Sequence, residues 1–280
     1  MLYILLTMSA QKYEKLNSLL AGLGDSDLVS SGWLKAHGYS SSLVARYVAS
    51  GWLESPARGI YQRRGGLLTW AAVVRALQEG EHLPLHVGGR FALAWRGHEH
   101  YLRLGERETV TLYGPGVLLA WVEKLPLNAQ MVLCGKSPFN LSVLSFKADM
   151  DDEALRSFGL EWVNADGDRG RIVLATPERA LLELCDGVSE ASLVYEVDAL
   201  MQGADTLRPQ RVSTLLRHCI SIKAKRLFLA LAERHQHTWL DHVSLDGVYL
   251  GKGKRCLVPG GRLNPTYQIT LPADLDEHLG

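Results

Sequence analysis

Between Ser9 and Leu23 apolar residues recur at helical spacing, with Tyr13, Leu16, Leu19, Leu20 and Leu23 on one face. This predicts an amphipathic helix, ended by Gly22, Gly24 and Asp25. A shorter pattern follows. Trp33 and Leu34 lie in a run from Gly32 to His37 that Ser30 or Ser31 can cap and Gly38 can stop. Leu43, Val44, Tyr47 and Val48 then give an inward face to a second helix running to about Ser50, capped from the run Ser40, Ser41, Ser42 and ended by Gly51. Ser41, Ser42, Ala45 and Arg46 fall on its other face. Two short helices joined by a tight turn with Gly form the helix-turn-helix pattern. Trp52 and Leu53 on one side, and Ile60 to Arg63 on the other, bracket Pro56 and Gly59, which predicts a hairpin. Ser30 to Arg64 therefore reads as a winged helix-turn-helix, supported by the helix that precedes it.

Beyond Gly65-Gly66 the pattern changes. Trp70, Val73, Val74 and Leu77 predict a helix over Leu67 to Glu79. Strand-like runs follow at Leu85 to Val87, Thr109 to Tyr113 and Met131 to Leu133, with another at Val143 to Phe146; glycine and proline turns punctuate them. Phe91 to Trp95 reads as a short helix, and Val117 to Val122 as either strand or helix. Arg171 to Ala175 is a strand. Thr176-Pro177-Glu178 then marks a helix start, with Thr176 as cap and Pro177 at the first helical position. Helices are expected over Leu193 to Met201, Pro209 to Arg217 and Ile222 to His235, and hairpin character over 243–272. The fold class this predicts is α+β: a winged helix-turn-helix at 9–64, a mixed β-rich core at 67–175, and a helical part with a basic hairpin at 176–280.

The 280 residues carry no net charge, but the distribution is uneven. Residues 1–64 hold seven Lys/Arg against four Asp/Glu, and residues 208–262 hold eleven against three, around an acidic middle. Two basic segments suit a polyanionic partner. Between Ser30 and Arg64, Lys35, Arg46, Arg58, Arg63 and Arg64 face Glu54 alone, and the charge sits where a winged module would meet DNA. Small polar residues at a helix N-terminus reach bases and phosphates while flanking arginines hold the backbone. The candidate DNA contacts are therefore Ser41, Ser42, Arg46, Arg58, Arg63, Arg64, Lys35 and Tyr39. In the second, Arg211, Lys223, Lys225, Arg226, Lys252, Lys254 and Arg255 form either a second polyanion surface or an internal balance to the acidic middle.

Candidate chemistry adds little. No G-x-S-x-G elbow and no Walker A sequence occur; Gly251-Lys252-Gly253-Lys254 has neither the spacing nor the Ser/Thr after Lys. His98-x-His100 lacks a matched third ligand, and His235-x-His237 falls at a helix end, where cationic His suits the dipole. Asp149-x-Asp151 resembles a magnesium-holding pair, but the upstream Gly-Ser that nucleotidyl transfer needs is missing. Cys134, Cys185, Cys219 and Cys256 show no CxxC spacing. Catalytic residues, metal and cofactor are thus expected to be none. Neither a signal sequence nor a transmembrane run is evident, so a cytoplasmic location without membrane contact is expected, with residues 1–7 an extension or an upstream start. The alternative is a nucleic-acid-modifying enzyme, a nuclease or nucleotidyltransferase-like domain, targeted by the winged helix.

Three stretches carry a family resemblance: SSGWLKAHGYSSSLVARYVASGWLESPARGIYQR from Ser30, HVGGRFALAWRGHEHYL from His86, and TPERALLELCDG from Thr176, followed by Ile222 to Leu229. Their order is similar to that of the AbiEi family, the antitoxins of AbiE (type IV) toxin–antitoxin systems. The resemblance implies a winged helix that binds inverted repeats in its own promoter as an autorepressor. It also implies a C-terminal region opposing a cognate nucleotidyltransferase toxin, with no stable complex expected.

Overall fold

The computed structural model describes residues 14–24, 27–97, 108–140, 151–165 and 170–275. The expected helix start at Ser9, the His98/His100 pair, the strand over Val143 to Phe146 and Asp149 lie outside them. The fold is mixed α+β, and the chain divides into two compact units. Unit 1 is Met1–Leu83 with Leu118–Met131 and Asn164–Ile172; unit 2 is Pro84–Val117, Val132–Val163 and Val173–Gly280.

In unit 1, residues 14–22 are helical (α1) and are followed by β1 (Val29–Ser30), α2 (Ser31–Ala36), α3 (Ser41–Ala49), β2 (Leu53–Ala57) and β3 (Ile60–Arg63). The strands form one antiparallel sheet of order β1-β3-β2, in which Val29 faces Tyr61 and Ser30 faces Ile60. Ser30 serves twice: it closes the sheet and caps α2, its hydroxyl accepting from the Trp33 amide at 3.0 Å. The helix consequently begins one residue earlier than the spacing predicts. Ser40 is the cap of α3, accepting from the Leu43 amide, so Ser41 and Ser42 are first-turn residues. Leu16, Leu19 and Leu23 of the α1 region, Leu34 of α2 and Leu43, Val44 and Tyr47 of α3 form one core with Val29 and Leu53.

Thr69 caps α4 (Trp70–Arg75), which passes into a π-helical turn at Ala76–Gly80. This segment starts three residues later than the apolar pattern suggested. Arg75 on α4 is buried, and its Nε donates to Asp27 at 3.0 Å.

Unit 2 contains β4 (His86–Val87), α5 (Gly89–Trp95), β5 (Glu108–Tyr113) and α6 (Asp152–Ser157), with β6 (Ala129–Cys134) from Val132, β7 (Leu160–Asn164) up to Val163 and β8 (Arg171–Ala175) from Val173. Its five-stranded sheet has the order β6-β5-β4-β8-β7. The short β4 is central: it runs antiparallel to β5, with His86 opposite Tyr113, and parallel to β8, with Val87 opposite Leu174. In the stretch from Leu118 that belongs to unit 1, and in Val117 before it, the backbone adopts neither of the two conformations the apolar run allowed, and only Val122–Lys124 forms a 3-10 turn. Helices α7 (Pro177–Gly187), α8 (Ala191–Gln202), α9 (Pro209–His218) and α10 (Ile222–Arg234) follow, then a hairpin of β9 (Arg262–Asn264) and β10 (Ile269–Leu271). Burial of Leu181 and Leu182 on α7 and of Leu227, Phe228 and Leu231 on α10 makes these two helices the centre of the packing.

Candidate nucleic-acid interface

The exposed face of unit 1 follows from the way α3 buries its other side. With Leu43, Val44 and Tyr47 in the core, the helical period leaves Ser41, Ser42, Ala45 and Arg46 exposed. The Ser42 hydroxyl lies 3.1 Å from that of Ser40, which ties the first turn together. Lys35, Arg58 and Arg64 are exposed and Arg63 is half-buried. Arg58 occupies the tip of the β2–β3 hairpin. There the Ser55 hydroxyl reaches the carbonyls of Ala57 at 2.8 Å and Ile60 at 2.9 Å, bracing a turn that carries no other charge. Tyr39 is oriented differently. Its hydroxyl donates to the Lys15 carbonyl at 3.3 Å and its ring packs against the core, so its polar end is directed toward α1.

The second basic segment separates into two kinds of residue. Arg226 is only 3% exposed and donates to three backbone carbonyls: Leu250 at 2.6 Å, Gly253 at 2.7 Å and Gln268 at 2.9 Å. Lys225 is 4% exposed, and burial lowers its pKa. Arg211 pairs with Glu178 at 3.4 Å, and Lys223 donates to the Val188 carbonyl at 2.8 Å. Lys252, Lys254 and Arg255 remain exposed. Position along the sequence does not separate these groups, because an arginine that organises turns looks the same there as one on the surface.

The stretches His86–Gly89 and Thr176–Glu183 meet in the interior of unit 2. His86 Nε2 lies 2.7 Å from Glu183 Oε1, Arg179 Nε donates to the same oxygen at 2.8 Å, and the Gly89 amide donates to Oε2 at 3.1 Å. Arg179 Nη1 also donates to the Phe158 carbonyl at 2.6 Å, and its guanidinium carbon lies 4.2 Å from the centre of the Phe139 ring. Burial pulls the His86 pKa down, so the imidazole is neutral. Burial pushes Glu183 up, but His86 and Arg179 outweigh it and hold the carboxyl below its ordinary range. The Nε2 proton of His86 therefore points at Glu183. The 3.3 Å approach of Arg179 Nε to that nitrogen brings two donors together and contributes no hydrogen bond.

Gly88 and Gly89 are required here. A Cβ on Gly88 would collide with the Glu183 carboxylate and lie 2.7 Å from the Tyr113 ring, and Gly89 has φ of 57°. Thr176 occupies the cap position of α7 without a side-chain capping bond, and its buried hydroxyl has no hydrogen-bond partner among the described residues.

His235 and His237 also have specific partners. His235 Nε2 lies 2.8 Å from Asp198, which Arg234 also contacts, and His237 Nε2 lies 2.7 Å from the Met201 carbonyl. Among the described residues no group of three or more His, Cys, Asp or Glu is placed to hold a metal ion. Nor is any helix among them long and apolar enough to cross a membrane.

Family models match nearly the whole chain. Residues 12–104 match the transcriptional regulator AbiEi antitoxin N-terminal domain. Residues 107–272 match the model described as transcriptional regulator, AbiEi antitoxin, type IV TA system. No curated protein matches. Among solved structures, the crystal structure of the RV2827C protein from Mycobacterium tuberculosis aligns over 90% of this chain and 89% of its own, with 16% identity and a TM-score of 0.47.

Proposed function

This chain belongs to the AbiEi family of transcriptional regulators, the antitoxins of type IV toxin–antitoxin systems, and on that footing we propose that it represses its own operon by binding operator DNA. The binding module is the winged helix-turn-helix of residues 9–64. Helix α3 enters the major groove with Ser41, Ser42 and Arg46, and the β2–β3 wing places Arg58 on the phosphate backbone. Lys35, Arg63 and Arg64 add phosphate contacts, whereas Tyr39 acts by fixing α2 on α1. The observation that carries this reading is the exposed face of α3: two serines and an arginine with an arginine-tipped hairpin in the same unit, in a chain whose family regulates transcription.

The operator is an inverted repeat upstream of the operon, and the remainder of the chain opposes a cognate nucleotidyltransferase toxin in the cytoplasm without forming a stable complex. Purified protein should retard a fragment of its own promoter at low salt, with affinity falling steeply as salt rises because phosphate contacts release counterions. Equal retardation of unrelated DNA, or none at low salt, would refute the repressor reading. Co-expression with the neighbouring gene tests the other half: rescue of growth by a chain with substituted α3 would separate antitoxicity from repression.

A further inference from the structure

Unit 2 contains a polar cleft of about 560 Å³ whose lining includes Tyr113, Lys136, Glu183, Asp186, Lys223 and Arg255. Three separate elements bring its cations together. Lys136 follows β6 in a loop stitched to the segment before α10, through the Phe139–Cys219 bridge and the Ile220 amide to the Pro138 carbonyl at 2.8 Å. Lys223 stands in the first turn of α10, where its ammonium donates to the Val188 carbonyl at 2.8 Å and keeps two N–H groups for a ligand. Arg255 is held by a backbone bridge to Ile269, and its turn is braced from α10 by Arg226. Lys136 and Arg255 have exposed side chains.

The acids in the cleft are already engaged. Glu183 is shared by His86, Arg179 and the Gly89 amide. Asp186 accepts from the Ser221 hydroxyl at 2.5 Å, and that hydroxyl in turn caps α10 by accepting from the Ala224 amide. With buried Arg179 set against Glu183, the three rim cations face one remaining carboxylate. The thirteen-residue α10 also directs its positive end here.

A second feature points to a ligand. Tyr113 is only 6% exposed and lines the cleft, and its hydroxyl forms no hydrogen bond among the described residues. Burial and the nearby Glu183 hold that hydroxyl protonated, so it is a donor without an acceptor. That donor is available to an anionic oxygen in the cleft.

The cleft continues into an adjoining hollow of about 520 Å³, with Gly135, Lys136, Asp186 and Ser221 common to both. The hollow has a different character. Pro115, Phe139 and Ile220 line it, Ile220 being 66% exposed, with Asn140 as a polar group beside them. A charged lobe joined to an apolar lobe with one amide matches a phosphate joined to a flat heterocycle. Both volumes fall within the ~300–1,000 Å³ of small-molecule sites.

We infer that this cleft binds a nucleotide, either free or as the phosphorylated end of an RNA. Lys136, Lys223 and Arg255 hold its phosphate, Tyr113 donates to a phosphate oxygen, and its base lies against Pro115 and Ile220. The site lies wholly within unit 2 and does not depend on operator binding by unit 1.

Calorimetric titration of the full chain tests this with GMP, AMP, CMP and UMP, the matching nucleosides, inorganic phosphate, and RNA oligonucleotides with and without a terminal phosphate. Saturable binding of a mononucleotide, at least about tenfold tighter than its nucleoside or inorganic phosphate, is the expected result. Lys136→Glu, at an exposed position, should weaken it about tenfold, and Tyr113→Phe, which keeps the ring, about threefold. Binding of phosphorylated RNA alone, with the same two losses, would assign the site to an RNA end. The inference is overturned if no phosphate-bearing probe binds by about 5 mM, if nucleosides bind equally well, or if both variants stay within about twofold of the parent. Operator retardation measured on the same samples bears only on unit 1.

Discussion

Glu183 and Gly89 stand ninety-four residues apart in the chain and are joined by a 3.1 Å hydrogen bond from the glycine amide to the buried carboxylate. The same carboxylate receives His86 and Arg179, so one side chain on α7 fixes both β4 and the start of α5. Glu183→Gln keeps the shape but leaves Arg179 buried without its counter-charge. Removing one partner of a buried pair costs about 3–5 kcal/mol, and a loss of that size is expected in denaturant unfolding of the full chain. A loss below about 1 kcal/mol would mean that the cluster is not electrostatically coupled.

The same cluster sets a pH dependence. His86 has a folded pKa below its usual 6.5 and Glu183 one below its usual 4.5. In both cases the unfolded chain takes up protons first, so acidification favours unfolding. The stability is fully present above the ordinary histidine value. It falls as the pH drops below about 6.5 through the His86 share, and falls again below about 4.5 as the Glu183 share is lost. Thermal melts across this range should show a decline beginning near the histidine value. His86→Asn should flatten that first part, and a melting temperature that rises on mild acidification would contradict the assignment.

Arg226 gives a contrasting prediction, because its charge is used inside the protein. Replacing it with Met leaves the carbonyls of Leu250, Gly253 and Gln268 without their donor and should destabilise unit 2 by about 2–4 kcal/mol. Lys254→Ala, at an exposed position, should change stability by less than about 0.5 kcal/mol. Equal effects in chemical denaturation would show that the turn does not depend on Arg226.

On the proposed DNA face, Arg46→Ala should weaken operator binding by about 1–3 kcal/mol if the guanidinium reads a base, with relaxed sequence preference. Arg58→Ala should weaken all sequences alike and reduce the slope of log affinity against log salt by about one. Fluorescence anisotropy at several salt concentrations separates the two, and an unchanged slope for Arg58→Ala would remove the wing from the phosphate backbone.

Much of unit 1 was legible because its signals are local. Ser30, Ser40 and Gly38 punctuate two helices within a few residues of the apolar positions they serve. Thr176-Pro177 marked α7 for the same reason. Strand β7 was missed because only Leu160 on it is fully buried, while Glu161, Trp162 and Val163 are half-buried, so neither alternation nor a continuous apolar run announces it. The roles of Glu183, Arg226 and Tyr113 were beyond local reading. Each is defined by partners, or by a missing partner, on elements 24 to 97 residues away, and charge alone suggested surface for residues that the fold turns inward.

The three-part make-up of unit 1 bears on how its activity can be isolated. Its residues come from Met1–Leu83, Leu118–Met131 and Asn164–Ile172, so the chain returns to this unit twice after leaving it. A fragment cut after the hairpin carries α1 to α3, and one cut after Leu83 carries α1 to α4, but neither has the later segments, with their buried Val122, Leu125 and Leu127. Such a fragment is a partial module, and weak DNA binding by it would say little about the parent. Point substitutions in the intact chain, rather than truncations, are the means of dividing its activities.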